Sequence, residues 1–250
     1  MFKNAQSKIL VIVSVVSCVA LVFLGTAVWK KLDRKPAENQ AHQISKRYIK
    51  LHERLIERAK GVPIDLVFIG DSLTEHWLLE GKDTWNREFS RWHPGNFGIS
   101  GDTTYGVLWR LKQNAISSLH PKVVVVLIGT NDLSVGRGPE ATGHAIRKVV
   151  QTIKSQLPDT TVVLLGLLPR NWRGDPARQL VREVNEKIAT LDNGKDIVYL
   201  DVGSSFLDQK GELIPELMAD AIHLSANGYK VFAEALKPTL QRYLDGDSAS

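Results

Sequence analysis

Residues 123–128 read Val-Val-Val-Val-Leu-Ile, six apolar side chains in succession. A run this short without polar alternation fits a strand buried on both faces, as in a parallel sheet covered by helices. Residues 66–69, 162–168 and 197–200 have the same character, and 96–99 form a shorter apolar piece. Between them, residues 104–119, 139–156, 176–191 and 226–244 carry helical periodicity, with Pro158, Gly194 and Gly211 punctuating the connections. Strands alternating with helices predict βαβ units. The expected domain is therefore three-layered α/β, beginning near residue 61, with ligands beyond the carboxyl ends of its strands.

The amino-terminal part of the chain differs in kind. Residues 9–29 contain no charged side chain over 21 positions, and about 20 apolar residues in a helix cross a bilayer core. They read as a transmembrane anchor or uncleaved signal, preceded by a tail at 1–8 and followed by a charged, Pro36-containing linker at 30–41. Cleavage near Gly25-Thr26-Ala27, giving a secreted protein, is the alternative. Lysines and arginines flank both ends of the span, so their distribution does not set its orientation. The expectation is a single-pass protein with an extracytoplasmic catalytic domain, on the periplasmic or cell-surface side. Cys18 is the single cysteine, which excludes an internal disulfide.

The formal net charge of +5 suggests an acidic partner until the excess is located. Lys3, Lys8, Lys30, Lys31, Arg34 and Lys35 against Asp33 account for all of it, so the remainder is neutral and gives no signal for nucleic acid. Residues 42–60 place Ile44, Tyr48, Leu51, Leu55, Ile56 and Ala59 at helical spacing beneath six lysines and arginines. This amphipathic helix is expected to pack its apolar stripe on the domain, which then extends over 42–250. Lipid contact through its basic face is the other reading.

Polar candidates gather after the strands. Asp71-Ser72 follows the first, Gly101-Asp102 the second, Asn131-Asp132 the third, and Asp220 with His223 precedes the last helix. Singly, each has an ordinary explanation: Ser72 as a helix cap, Gly101 and Asn131 as turn residues, His223 as a structural histidine. Together they supply a serine hydrolase. A serine hydroxyl needs a base within hydrogen-bond reach, His223 can serve, and Asp220 three residues earlier can hold its tautomer. The backbone N–H groups of Ser72 and Gly101 and the Asn131 amide could form an oxyanion hole. No G-x-S-x-G elbow is present, and the seven histidines show no paired metal-ligand spacing.

GDSL at 70–73, NFGISGD at 96–102, GTND at 129–132 and DAIH at 220–223 resemble, in order, the four blocks of the SGNH (GDSL) hydrolase superfamily. GDTTYGVLWRL from Gly101, VVLLGLLPR ending at Arg170 and HLSANGY from His223 narrow the likeness to esterases similar to the α subunits of platelet-activating-factor acetylhydrolase. The resemblance implies a flavodoxin-like fold with a five-stranded parallel sheet. It implies Ser72 as nucleophile, His223 as base, Asp220 as orienting carboxylate, Gly101 and Asn131 as oxyanion donors, no cofactor, and a homodimer. Asp71 and Asp132 read as loop-organising residues. Trp77, Trp85, Trp92, Tyr105, Trp109 and Trp172 read as packing residues, and Arg170 as a partner for an anionic substrate group or a carboxylate. The expected activity is hydrolysis of short-chain, above all acetyl, esters of a lipid or glycan through an acyl-serine. An O-acyltransferase using the same triad, or a noncatalytic tethered binding module, is the alternative.

Overall fold

A computed structural model describes residues 45–170 and 175–246. The expected tail, anchor and linker, and Trp172, lie outside these residues. Among the described residues no helix is long and apolar enough to cross a membrane.

Five strands form one sheet: β1 (Leu66–Gly70), β2 (Pro94–Gly98), β3 (Val123–Leu127), β4 (Thr161–Leu165) and β5 (Ile197–Leu200). All neighbours pair in parallel, in the order β2-β1-β3-β4-β5. Val123, Val124, Val125 and Val126 are at most 1 % exposed, as a strand covered on both faces requires. The helices are α1 (Lys46–Ala59), α2 (Ser72–Glu75), α3 (Lys82–Glu88), α4 (Thr104–Lys112), α5 (Thr130–Ser134), α6 (Pro139–Gln156), α7 (Asp175–Ala189) and α8 (Ala226–Leu244). Strand order reverses direction at β1 and β3, and such a switch point opens a crevice at the carboxyl ends of the two strands.

Two elements stop earlier than hydropathy predicts. After Leu165 the apolar run continues through Leu167 and Leu168, both buried. There the side-chain amide of Asn185 on α7 takes over the role of a neighbouring strand: Leu167 N–H donates to its Oδ1 at 2.8 Å, and its Nδ2 donates to the Leu167 carbonyl at 3.0 Å. Helix α4 ends at Lys112, where Asn114 adopts φ +60°. Ala115 N–H donates to Arg110 O and Asn114 N–H to Leu111 O, the paired bonds of a Schellman stop.

Helix α1 begins at Lys46 with Ser45 as cap, its Oγ accepting from Tyr48 N–H at 3.1 Å. His52, Leu55 and Ala59 are buried while Lys46, Arg47, Lys50, Arg54 and Arg58 are exposed, so the stripe does pack on the domain. Tyr48 also reaches a buried ion pair. Arg110, 0 % exposed, donates from Nη2 and Nε to Asp102 Oδ2 at 2.7 and 3.0 Å, and the Tyr48 hydroxyl donates to the same oxygen at 2.9 Å. The remaining guanidinium donors reach the carbonyls of Phe97 at 2.7 Å and Gly70 at 3.2 Å, at the ends of β2 and β1.

Removing one member of such a pair strands a buried charge. Arg110→Met should lower unfolding free energy by about 3–5 kcal/mol in denaturant titration. Adding Asp102→Leu to that variant should recover part of the loss, as a double-mutant cycle reads directly.

Candidate active site

Gly70 closes β1, and α2 sits directly on the sheet's end. A Cβ on Gly70 would lie 2.2 Å from the Leu127 carbonyl oxygen, and one on Gly98 would lie 2.2 Å from Glu75 N, so glycine permits that close approach. Asp71, not Ser72, caps the helix: its Oδ1 accepts from Leu73 N–H at 3.0 Å, and Ser72 is the first helical residue. The capping role that Ser72 alone suggests is thus filled by its neighbour, which leaves the serine hydroxyl free.

That hydroxyl lies 2.9 Å from His223 Nε2. On the other side of the ring, His223 Nδ1 lies 2.7 Å from Asp220 Oδ2. Asp220 Oδ1 meanwhile accepts from the N–H groups of Ile222 at 2.7 Å and His223 at 2.8 Å, so the carboxylate organises its own loop. These bonds to His223 and to the two amides hold the Asp220 carboxyl below its usual range, against the opposing effect of its partial burial. The loop is closed by a bridge between Met218 and Leu224 and by Ser225, which caps α8 through Gly228 N–H at 3.1 Å. One turn into α8, the Tyr229 hydroxyl donates to the Leu73 carbonyl at 2.9 Å, fastening the base-bearing segment to the nucleophile helix.

Gly101 occupies the turn closed by Asp102 N–H on the Ile99 carbonyl at 3.1 Å, with φ +78° where a side chain would be strained. Among the described residues neither the Ser72 N–H nor the Gly101 N–H has an acceptor. The Asn131 amide Nδ2 donates to the Asp102 carbonyl at 2.8 Å and makes a long 3.4 Å contact with Asp71 Oδ2. Asn131 therefore ties the residue after Gly101 to the residue before Ser72.

Asp132, fully buried, accepts from Thr104 N–H at 2.9 Å and Thr104 Oγ at 2.6 Å and pairs with Arg137 at 2.5 Å. It joins α4 to α5, the loop-organising role expected of it. Arg170 is buried and donates to the Thr130 carbonyl at 3.0 Å and Ser134 Oγ at 2.8 Å. It braces the helix that carries Asn131. Trp77, Trp85 and Trp92 are core residues, Trp77 packing on Phe68, Tyr229 and Phe232. Sequence reasoning gave His76 no role, yet its ring stacks on His223; the four-residue step from Ser72 was the available signal. Among the described residues no three His, Cys, Asp or Glu side chains gather as a metal site.

The family described as GDSL-like lipase/acylhydrolase matches this sequence over residues 68–231. The chain belongs to that family. It is 37 % identical over 214 residues to the bovine platelet-activating factor acetylhydrolase IB subunit alpha1, covering 85 % of this chain and 90 % of that one. The chicken alpha2 subunit is 34 % identical over 200 residues, covering 80 % and 86 %. Among solved structures, a GDSL-like lipase from Bacteroides thetaiotaomicron superposes with a TM-score of 0.63 at 24 % identity, covering 79 % of this chain and 97 % of that one. A mutant of a Geobacillus acetyl-xylooligosaccharide esterase gives 0.56 at 17 % identity, with 76 % and 98 % covered. These two show the shared fold. The protein is a carboxylic ester hydrolase.

Burial, reinforced by the charges of Asp102 and Asp132, raises the Asp71 carboxyl to about 7, although the Leu73 N–H opposes it. A folded-state value above the unfolded one means the native state holds the extra proton between about pH 4 and 7. Stability from this group therefore falls as pH rises through that window. Asp71→Asn keeps a capping oxygen and removes the titration, so its melting temperature relative to the parent should climb from pH 4 to pH 8. A difference that stays flat with pH would show that Asp71 does not titrate this way.

Proposed function

We propose that the protein is a serine esterase that removes short acyl groups, above all acetyl, from a lipid or glycan ester. The observation that carries this reading is the unbroken line Asp220 Oδ2, His223 Nδ1, His223 Nε2, Ser72 Oγ, with its two contacts at 2.7 and 2.9 Å. His223 takes the Ser72 proton as the hydroxyl attacks the ester carbonyl. Asp220 holds the tautomer that leaves Nε2 free to accept it. The collapsing intermediate expels the alcohol, which receives the proton from His223. Water activated by the same histidine then releases the acid from the acyl-serine. The Ser72 and Gly101 N–H groups, without acceptors among the described residues, are the donors for the oxyanion. The Asn131 amide serves as third donor by releasing its long contact with Asp71.

The short-acyl preference is supported by the names of the relatives, which are acetylhydrolase subunits. Attachment to a membrane through residues 9–29, an extracytoplasmic catalytic domain spanning 42–250, and a homodimer belong to the same proposal. The anchor is supported by the uncharged run at residues 9–29, and the dimer by family likeness.

With the full chain in detergent, Ser72→Ala should abolish hydrolysis of p-nitrophenyl acetate without changing the circular dichroism spectrum. Retention of most of the activity would exclude the triad. Turnover should fall steeply from acetate to octanoate, and a maximum at octanoate would sink the acetyl preference. Asn131→Ala should lower kcat by about 10²–10³, the usual cost of losing one oxyanion donor. A variant changed only in KM would show that the amide binds substrate and does not stabilise the oxyanion.

A further inference from the structure

His76 and His223 lie with ring centroids 5.0 Å apart and planes 21° from parallel. Ser72 and His76 are four residues apart, and α2 runs directly into the 3₁₀ turn His76–Leu78, so both side chains emerge on one face a single turn apart. His223 consequently meets the same short stretch twice, by its edge at Ser72 Oγ and by its face at His76. The His76 ring is itself held, its Nδ1 lying 3.2 Å from Glu80 Oε2 one turn further on.

The two hydrogen bonds of the His223 ring run roughly along the line joining its nitrogens. They fix the direction of that line and resist rolling about it only weakly. A histidine in a core is kept from rolling by neighbours on both faces. The His223 side chain is 28 % exposed and its Asp220 partner 56 % exposed, so loop packing supplies little of that restraint. A flat ring stacked on one face supplies it without competing for either nitrogen.

We propose that His76 is a positioning residue whose ring face keeps the His223 imidazole from rolling and so keeps Nε2 aimed at Ser72 Oγ. This rests on the reading of Ser72 and His223 as nucleophile and base. Small angular errors between a base and its nucleophile cost rate and leave substrate affinity alone. The effect therefore belongs in kcat.

The test uses the full chain in detergent with p-nitrophenyl acetate. His76→Ala and His76→Leu should lower kcat about three- to tenfold, the scale of one ring-stacking contact, with KM within about twofold of the parent. His76→Phe restores a flat face without an ionisable nitrogen and should return kcat to the parent's range. In proton NMR the hydrogen-bonded Nδ1–H of His223 should stay sharp in the parent and the Phe variant and broaden in the Ala and Leu variants. Parent-like kcat in His76→Ala, or a Phe variant as slow as the Leu variant, would overturn the proposal. If His76→Ala does not fold, the Leu and Phe variants alone decide. If Ser72→Ala retains activity, the nucleophile reading has failed, and the NMR comparison still judges the stack: a sharp signal in His76→Leu refutes it, and broadening reversed in His76→Phe supports it.

Discussion

The Arg110 guanidinium is buried where the ends of two strands, a helix start and an outlying helix meet. Parallel strands that finish at a sheet edge leave carbonyls without ladder partners, and a buried carbonyl needs a donor. Arg110 supplies donors to the carbonyls of Gly70 and Phe97, while Asp102 balances its charge and Tyr48 draws α1 against both. Gly70 stands two residues before Ser72, and Asp102 directly follows Gly101. The distance between the nucleophile and the Gly101 turn is thus set by a planar, rigid fork whose geometry admits little slack. Burial pushes the Asp102 carboxyl upward, with Arg110 opposing that shift. The low-dielectric surroundings that make the pair costly to bury also make it costly to separate.

The base arrives by a different route. Asp220 and His223 belong to a loop outside the sheet, and their mutual bond needs nothing beyond the loop itself. What places them is the Tyr229 hydroxyl on the Leu73 carbonyl and the aromatic packing of Trp77 against Tyr229 and Phe232. Trp77 follows His76 in sequence, so residues 72–77 provide the nucleophile, the stacked ring and the aromatic seat for α8 within two turns. The site joins a sheet-borne half to a loop-borne half along this one segment.

Four strands and the main helices were legible because continuous apolar runs and helical periodicity survive in sequence without knowledge of neighbours, whereas β2, Pro-Gly-Asn-Phe-Gly, left only a short hint at 96–99. Three of the chain-distant blocks were legible because each follows a strand end, and the fourth because it leads into the last helix. Less visible was any role that depends on partners. Nothing in the sequence sets Arg110 apart from other helix arginines, yet it is wholly buried. Asp71 and Ser72 are both good capping residues, and only backbone geometry assigns the cap to the first. The charge of Arg170 was visible in the sequence, and the Thr130 carbonyl it serves was not. Asn185, which substitutes for a missing strand neighbour, carries no local mark of that task.

The triad also has an uneven span along the chain. Asp220 and His223 are three positions apart, whereas Ser72 and His223 are separated by 151. Closing a short loop costs far less chain entropy than closing a long one, and non-local contacts are the slow ones in folding. The acid–base couple is therefore assembled from local information. The hydroxyl-to-imidazole contact forms only once almost the whole domain has been threaded into place. Esterase turnover in a refolding chain would accordingly serve as a clock for the last long-range docking event, read out by chemistry instead of spectroscopy.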